Sequence, residues 1–145
     1  RFFTVYGPWG RPDMAYFKFT NAIIKNKKID VYNKGEMYRD FTYIDDIIDG
    51  VFATLIKESI ENKKYQLYNI GNSSPVKLMD FIEEIERSTG KIAKKEMLSM
   101  QPGDVNKTFA DVTSLKKNFN YQSKTPIKVG VSKFVDWYKE YYISY

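Results

Sequence analysis

Short extended runs rich in aromatic and β-branched residues alternate along this chain with stretches whose apolar residues recur every three or four positions. That alternation points to an α/β fold, because each amphipathic helix needs a sheet face or another helix to cover its apolar stripe. The strongest helical signal is Ile44, Ile47, Ile48, Val51, Phe52, Leu55 and Ile56, with Asp45 and Asp46 at the positive end of the helix dipole. A second helix is predicted from about Met14 to Lys27, capped by Asp13, with Ala15, Phe19, Ala22 and Ile23 as its buried stripe. A third carries Leu78, Phe81, Ile82 and Ile85 and stops at Gly90; the last, from about Ile127 to Tyr142, carries Val131, Phe134, Val135, Tyr138 and Tyr142. Extended segments are expected at Phe2 to Tyr6, Ile29 to Tyr32, Tyr38 to Tyr43, Gln66 to Ile70 and Lys91 to Met97, with Asn33 to Glu36 as a turn. These strands are too short and scattered to form a complete doubly wound sheet by themselves. The expectation is a small mixed α/β unit in a single domain.

Composition narrows the chemistry. The chain of 145 residues has no cysteine and no histidine, which excludes disulfides, thiolate metal sites and imidazole as a ligand or general base. No stretch approaches the roughly 18 apolar residues of a membrane span, so no membrane insertion is expected. The net charge of +5 comes mostly from lysines scattered beside acids, a pattern that argues against nucleic-acid binding. The lack of cysteine is compatible with the cytoplasm, the expected location. Aromatic residues make up 17% of the chain, enough to fill a core and also to stack on a flat ligand.

Three stretches carry chemistry. After Thr4, the loop "GPWGRPDM" presents Arg11, a rigid fork of donors suited to a carboxylate or phosphate, although Arg11 can equally pair with Asp13 or lie in solvent. In "GEMYRDFT", Arg39 stands between aromatics in an extended segment, free to bind phosphate or to pair with Asp40 or a helix acid. "MQPGD" brings the Gln101 amide and the Asp104 carboxylate close in sequence, either for a ligand or as a polar surface turn. No G-x-G-x-x-G turn and no Walker loop occur, and no tyrosine has lysine four positions on, so a helical tyrosine–lysine proton-transfer pair is missing.

Taken together, "RFFTVYGPWGRPDMA", "DVYNKGEMYRDFTYIDDI", "YNIGNSSPVKLMDFIE" and "MQPGDV" resemble the extended short-chain dehydrogenase/reductase enzymes that epimerise or dehydrate nucleotide sugars, most closely the UDP-glucuronate 4-epimerase group. The resemblance spans nearly the whole chain. It implies that residues 1–145 are the carboxy-terminal, substrate-binding portion of such an enzyme: a small mixed α/β domain with a remnant of the Rossmann sheet at its N-terminus. NAD would then be bound mainly by an amino-terminal half outside this chain, which would also hold the catalytic tyrosine and lysine and pair the parent as a homodimer.

Position by position, the resemblance implies that Phe2 lies near the nicotinamide and Thr4 faces the sugar. Arg11, with Thr4, suits the C6 carboxylate of a uronic acid. Asp30 and Tyr32 match the uracil-binding strand, Arg39 the pyrophosphate arginine, and Asp104 a carboxylate near the ribose hydroxyls. Gln101 departs from the UDP-galactose epimerases, where arginine stands. The implied reaction is transient oxidation at C4, rotation of the 4-keto sugar and re-reduction on the other face, with the isolated chain inactive. UDP-glucuronate decarboxylase, UDP-N-acetylhexosamine epimerase and other sugar-nucleotide epimerases or dehydratases share much of this pattern. A non-catalytic binding or interaction module on the same fold is the alternative of another class.

Overall fold

A computed structural model describes residues 1–56 and 65–143. Among the described residues, six strands and five α-helices follow one another: β1 (Thr4–Tyr6), α1 (Ala15–Ile24), β2 (Lys28–Val31), β3 (Tyr38–Arg39), β4 (Phe41–Tyr43), α2 (Ile44–Ile56), β5 (Val76–Lys77), α3 (Leu78–Thr89), β6 (Lys94–Met97), α4 (Thr113–Phe119) and α5 (Ile127–Tyr142), with a 3-10 turn at Tyr32–Gly35. β1 pairs in parallel with β4, Thr4 opposite Phe41 and Tyr6 opposite Tyr43. β2 pairs in parallel with β6, Lys28 opposite Lys94. Among the described residues, only the short β3 and β5 pair antiparallel. Parallel neighbours cannot be joined by a hairpin and need a crossover, which α1 supplies for the first pair and α2 and α3 for the second.

This pairing corrects the expected fold class. A substrate-binding domain with only an N-terminal remnant of a Rossmann sheet would confine parallel β–α–β geometry to the first residues. Here parallel pairs joined by helical crossovers extend from Thr4 to Met97, the Rossmann-type arrangement of a dinucleotide-binding fold. Short strands hid this, because register between distant segments is not written in either segment alone.

The core forms around Tyr6, whose ring meets Tyr16, Phe41, Tyr43 and Phe81 edge-on, while Phe41 and Phe81 stack at 4.0 Å. α1, α3 and α5 close over it through Ile23, Ile82, Ile85, Phe134 and Val135. α5 comes so near that a Cβ on Gly130 would lie 2.2 Å from the Tyr6 hydroxyl, so only glycine fits there. A second cluster of Ile47, Ile70, Leu115, Phe119 and Tyr121 joins α2 to α4.

Local expectations change at three helices. α1 starts one residue later than expected and ends at Ile24, with Met14 in the cap position and no side-chain cap bond; Asp13 turns instead to Arg11. Its buried face is Tyr16, Phe17, Phe19, Thr20 and Ile23, with Ala15 exposed. α2 buries Ile47 but leaves Ile48, Phe52, Leu55 and Ile56 exposed. α4 carries no strong apolar periodicity over its seven residues and was not expected.

Candidate functional site

Two cavities meet at Thr4 and Met14. The first, of about 510 Å³, lies between α1, β2, β3 and the loop at residues 101–104. Its walls are apolar, formed by Ala15, Phe19, Ile29, Met37, Phe41 and Leu78, with polar groups at the rim. The second, of about 690 Å³, opens around the end of β1 and the loop that carries Arg11. Ligand sites in parallel α/β folds lie beyond the carboxyl ends of the strands, and this cavity runs along β1 from Phe2 to the loop at its carboxyl end.

Local structure explains how the side chains arrive. β1 ends at Tyr6, and Gly7, with a φ of 142°, turns the chain out of the strand into the loop. Arg11 then reaches Asp13 through two hydrogen bonds, Nε to Oδ1 at 3.1 Å and Nη2 to Oδ2 at 2.5 Å. Both side chains are exposed, at 76% and 59%. The bond from Arg11 holds the Asp13 carboxyl below its ordinary pKa and raises that of the guanidinium. Behind the loop, burial pushes the Tyr16 phenol up to about 12, with the Asp13 charge adding to the effect.

In β3, Arg39 donates from Nη1 to the Tyr38 carbonyl at 3.0 Å and from Nη2 to Asp104 Oδ1 at 2.6 Å. The pair is mostly shielded, with 17% and 31% of the two side chains exposed. Arg39 therefore takes neither Asp40 nor a helix acid as its partner. Successive residues of a strand face opposite ways, so Asp40 points to the other side. The 104–108 segment is laced to β3 by Tyr38 N–H to the Asn106 carbonyl at 2.8 Å and Thr108 N–H to the Tyr38 carbonyl at 3.1 Å.

The first cavity gathers Thr4, Asp30, Tyr32, Arg39, Gln101 and Asp104. The second gathers Phe2, Thr4 and Arg11, so Thr4 is the hinge between them. Asp30 and Gln101 are exposed at the rim, while Thr4, Tyr32, Arg39 and Asp104 are half-buried. Sequence reasoning missed Lys18, a cation on α1 at the first cavity, and Thr108 in the second. Lys18 was legible as the exposed residue between Phe17 and Phe19. Thr108 sits in a segment with no periodicity and left no signal. Chemically, the combined site offers a fork of donors, a carboxylate and an amide at one end, an apolar wall between, and a hydroxyl with a second guanidinium at the other. Among the described residues, no helix is long and apolar enough to cross a membrane.

Residues 1–71 match the model of the NAD dependent epimerase/dehydratase family. The chain is 51% identical over 156 aligned residues to Protein CapI of Staphylococcus aureus, covering 98% of this chain and 47% of that protein. It is 41% identical to a probable UDP-glucuronate 4-epimerase of Rhizobium meliloti, covering 98% of this chain and 46% of that protein. Among solved structures, a mutant UDP-glucuronic acid 4-epimerase from Bacillus cereus, in complex with UDP-4-deoxy-4-fluoro-glucuronic acid and NAD, superposes with a TM-score of 0.89 at 34% identity, covering 98% of this chain and 45% of that one. The chain spans about half the length of the curated relatives it matches.

These matches are similarities, to the NAD dependent epimerase/dehydratase family over residues 1–71 and to part of longer epimerase chains over 98% of this one. They also correct the expectation of a carboxy-terminal substrate portion whose NAD-binding part lies outside the chain. The family match falls on residues 1–71, and the parallel β–α–β pairs lie within the chain itself. The assignment of NAD to an absent half is therefore withdrawn.

Proposed function

We propose that this chain recognises the sugar nucleotide in an NAD-dependent 4-epimerase acting on UDP-glucuronate. The observation that carries the reading is the pair of cavities joined at Thr4, with Arg39, Asp104, Gln101, Tyr32 and Asp30 on one side and Arg11 on the other. A nucleotide diphosphate sugar is long, polar at the base and phosphates, and polar again at the sugar. In this reading Arg39 holds the pyrophosphate, Asp104 accepts from ribose hydroxyls, and Asp30 with Tyr32 receives the uracil. Binding the phosphate draws on the guanidinium that now faces Asp104, so the carboxylate exchanges one partner for another without being left alone. Arg11 and Thr4 face the sugar, where a guanidinium distinguishes a C6 carboxylate from an alcohol by charge and bidentate fit.

The residues at the amino-terminal side of β1 fit part of NAD. Phe2 is 60% exposed beside Phe3 and Thr4 on the wall of the second cavity, an open aromatic surface for a planar nicotinamide ring. NAD, when bound, supplies an acceptor and donor of hydride. The side chains of this chain bind and orient, since no tyrosine is followed by lysine at the spacing a helical proton-transfer pair requires.

Calorimetry with UDP tests the reading. Arg39→Ala is expected to weaken UDP and every UDP-sugar alike, because the lost contact is to the phosphates. A charge-assisted hydrogen bond is worth about 1.5 to 3 kcal/mol, so the loss should be about tenfold to a hundredfold. Unchanged UDP affinity in the variant removes the pyrophosphate role and leaves Arg39 as a structural partner of Asp104.

A further inference from the structure

Asp40 is fully buried, and no step of the proposed recognition uses it. Its Oδ1 accepts the Asn72 backbone N–H at 2.8 Å and the Thr42 hydroxyl at 3.4 Å. Its Oδ2 accepts the Ala110 backbone N–H at 2.9 Å, and its own N–H donates to the Thr108 hydroxyl at 3.0 Å. One side chain thus binds the backbone of two segments that are distant from it and from each other in sequence.

Each of those segments leads to the site. Asp40 follows Arg39 in the chain. The segment containing Thr108 and Ala110 begins at Asp104, the partner of Arg39. The segment before Asn72 contains Ile70, whose carbonyl accepts the Phe3 N–H at 3.1 Å and so anchors the strand that delivers Phe2 and Thr4. The three backbones converge tightly: a Cβ on Gly71 would lie 2.2 Å from the Ala110 Cβ and 3.5 Å from both Asp40 Oδ1 and the Phe3 Cβ. From this convergence we infer that Asp40 is the positioning residue of the site, setting the spacing between Arg39 and Asp104 and fixing both to the end of β1. The inference rests on the nucleotide reading above.

The fold supplies a matched control. Asp46 is 3% exposed and also accepts three hydrogen bonds, from Ser123 Oγ at 2.9 Å, Lys124 N–H at 3.0 Å and Thr125 N–H at 3.1 Å. It ties α2 to the segment before α5, and none of these residues lines either cavity. Asparagine at either position keeps the volume but turns a donor toward a backbone N–H, so the two substitutions disturb similar joints at different places.

The experiment compares Asp40→Asn with Asp46→Asn in the full chain, by thermal unfolding and by calorimetry with UDP below both transitions. Both variants are expected to lose stability, but only Asp40→Asn should weaken UDP, by about tenfold. Adding Arg39→Ala to Asp40→Asn should then cost less affinity than Arg39→Ala costs alone, because the arginine is already misplaced. If Asp40→Asn does not fold, Thr108→Val leaves the carboxylate in place but removes the acceptor for the Asp40 N–H, and should weaken UDP by about threefold. Wild-type affinity in whichever of Asp40→Asn and Thr108→Val folds, equal weakening by the Asp46 substitution, or full additivity with Arg39→Ala overturns the positioning role. Failure of the unmodified chain to bind UDP overturns the nucleotide reading, a distinct result because it appears before any substitution is made.

Discussion

Arg11 and Arg39 are the same side chain in opposite circumstances. Arg11 is bound to a neighbour two residues away, in water, where an ion pair adds little to stability and is easily exchanged for another anion. Arg39 is shielded and bound to a residue 65 positions on, so it belongs to the architecture as well as to the site. Arg11→Ala is therefore expected to leave the thermal midpoint unchanged while reducing the preference for UDP-glucuronate over UDP-glucose, measured as the ratio of dissociation constants. A lowered midpoint with an unchanged ratio identifies Arg11 instead as an anchor of its loop through Asp13. At this scale the chemical types of the candidate residues were legible in the sequence, since a guanidinium, carboxylate and amide announce their chemistry, whereas their roles rest on the resemblance. Their partners were not. Asp40 is adjacent to Arg39 in the chain yet faces away from it, and nothing local in "YRDF" says that Asp40 reaches Asn72 and Ala110.

Helices obey their own periodicity, but the burial of each face depends on what lies opposite. α3 shows agreement between the two: Phe81, Ile82 and Ile85 repeat at helical spacing, all are buried, and Gly90 closes the helix at φ 73°. α2 has an apolar repeat as strong, yet its stripe is divided. Ile47 meets Ile70, Leu115 and Tyr121, whereas Ile48, Phe52, Leu55 and Ile56 are 56%, 59%, 75% and 69% exposed. Phe52→Lys is accordingly expected to change the free energy of unfolding in urea by no more than about 0.5 kcal/mol, as a surface substitution does. Ile82→Ala, at a position with no exposure, is expected to lose about 2 to 5 kcal/mol. A loss for Phe52→Lys as large as that for Ile82→Ala contradicts the exposed placement of the α2 face. α1 adds a smaller lesson: Asp13 has the side chain of a helix cap but stands one residue before the cap position, which Met14 takes, and the guanidinium two residues before it holds its oxygens.

Across the whole molecule, the absence of histidine and the burial of tyrosine set the response to pH. Burial raises the pKa of Tyr6, Tyr16, Tyr43, Tyr121 and Tyr138, the Asp46 charge adding to it at Tyr6 and Tyr121. Below the ordinary phenol pKa of 10.0 both the folded and unfolded states carry the proton, and the stability is fully present. Above it the unfolded chain releases protons that the folded core retains, so stability falls as pH rises toward the folded values. Thermal midpoints should therefore be nearly level from about pH 6 to about pH 9 and decline beyond about pH 10. Tyr6→Phe removes one such group and should make that decline shallower than in the unsubstituted chain; equal slopes show that Tyr6 does not contribute. Lysine titration is common to both proteins and cancels in the comparison.

The sequence by itself determined that helices and short strands alternate, where most of them begin and end, and which guanidinium, carboxylate, amide and hydroxyl groups the chain can offer. Those properties arise from neighbours within a turn or two: apolar spacing, a glycine able to take positive φ, a proline that cannot continue a strand. Only the tertiary structure decided that β1 lies parallel to β4 and β2 to β6, that Arg39 meets Asp104, that Asp40 holds two distant backbones, and that half of the α2 stripe stays uncovered. Each of these is a pairing between segments far apart in the chain. Its free energy depends on crossover path, strand register and the space left by other side chains, and none of those quantities exists until the whole chain has folded.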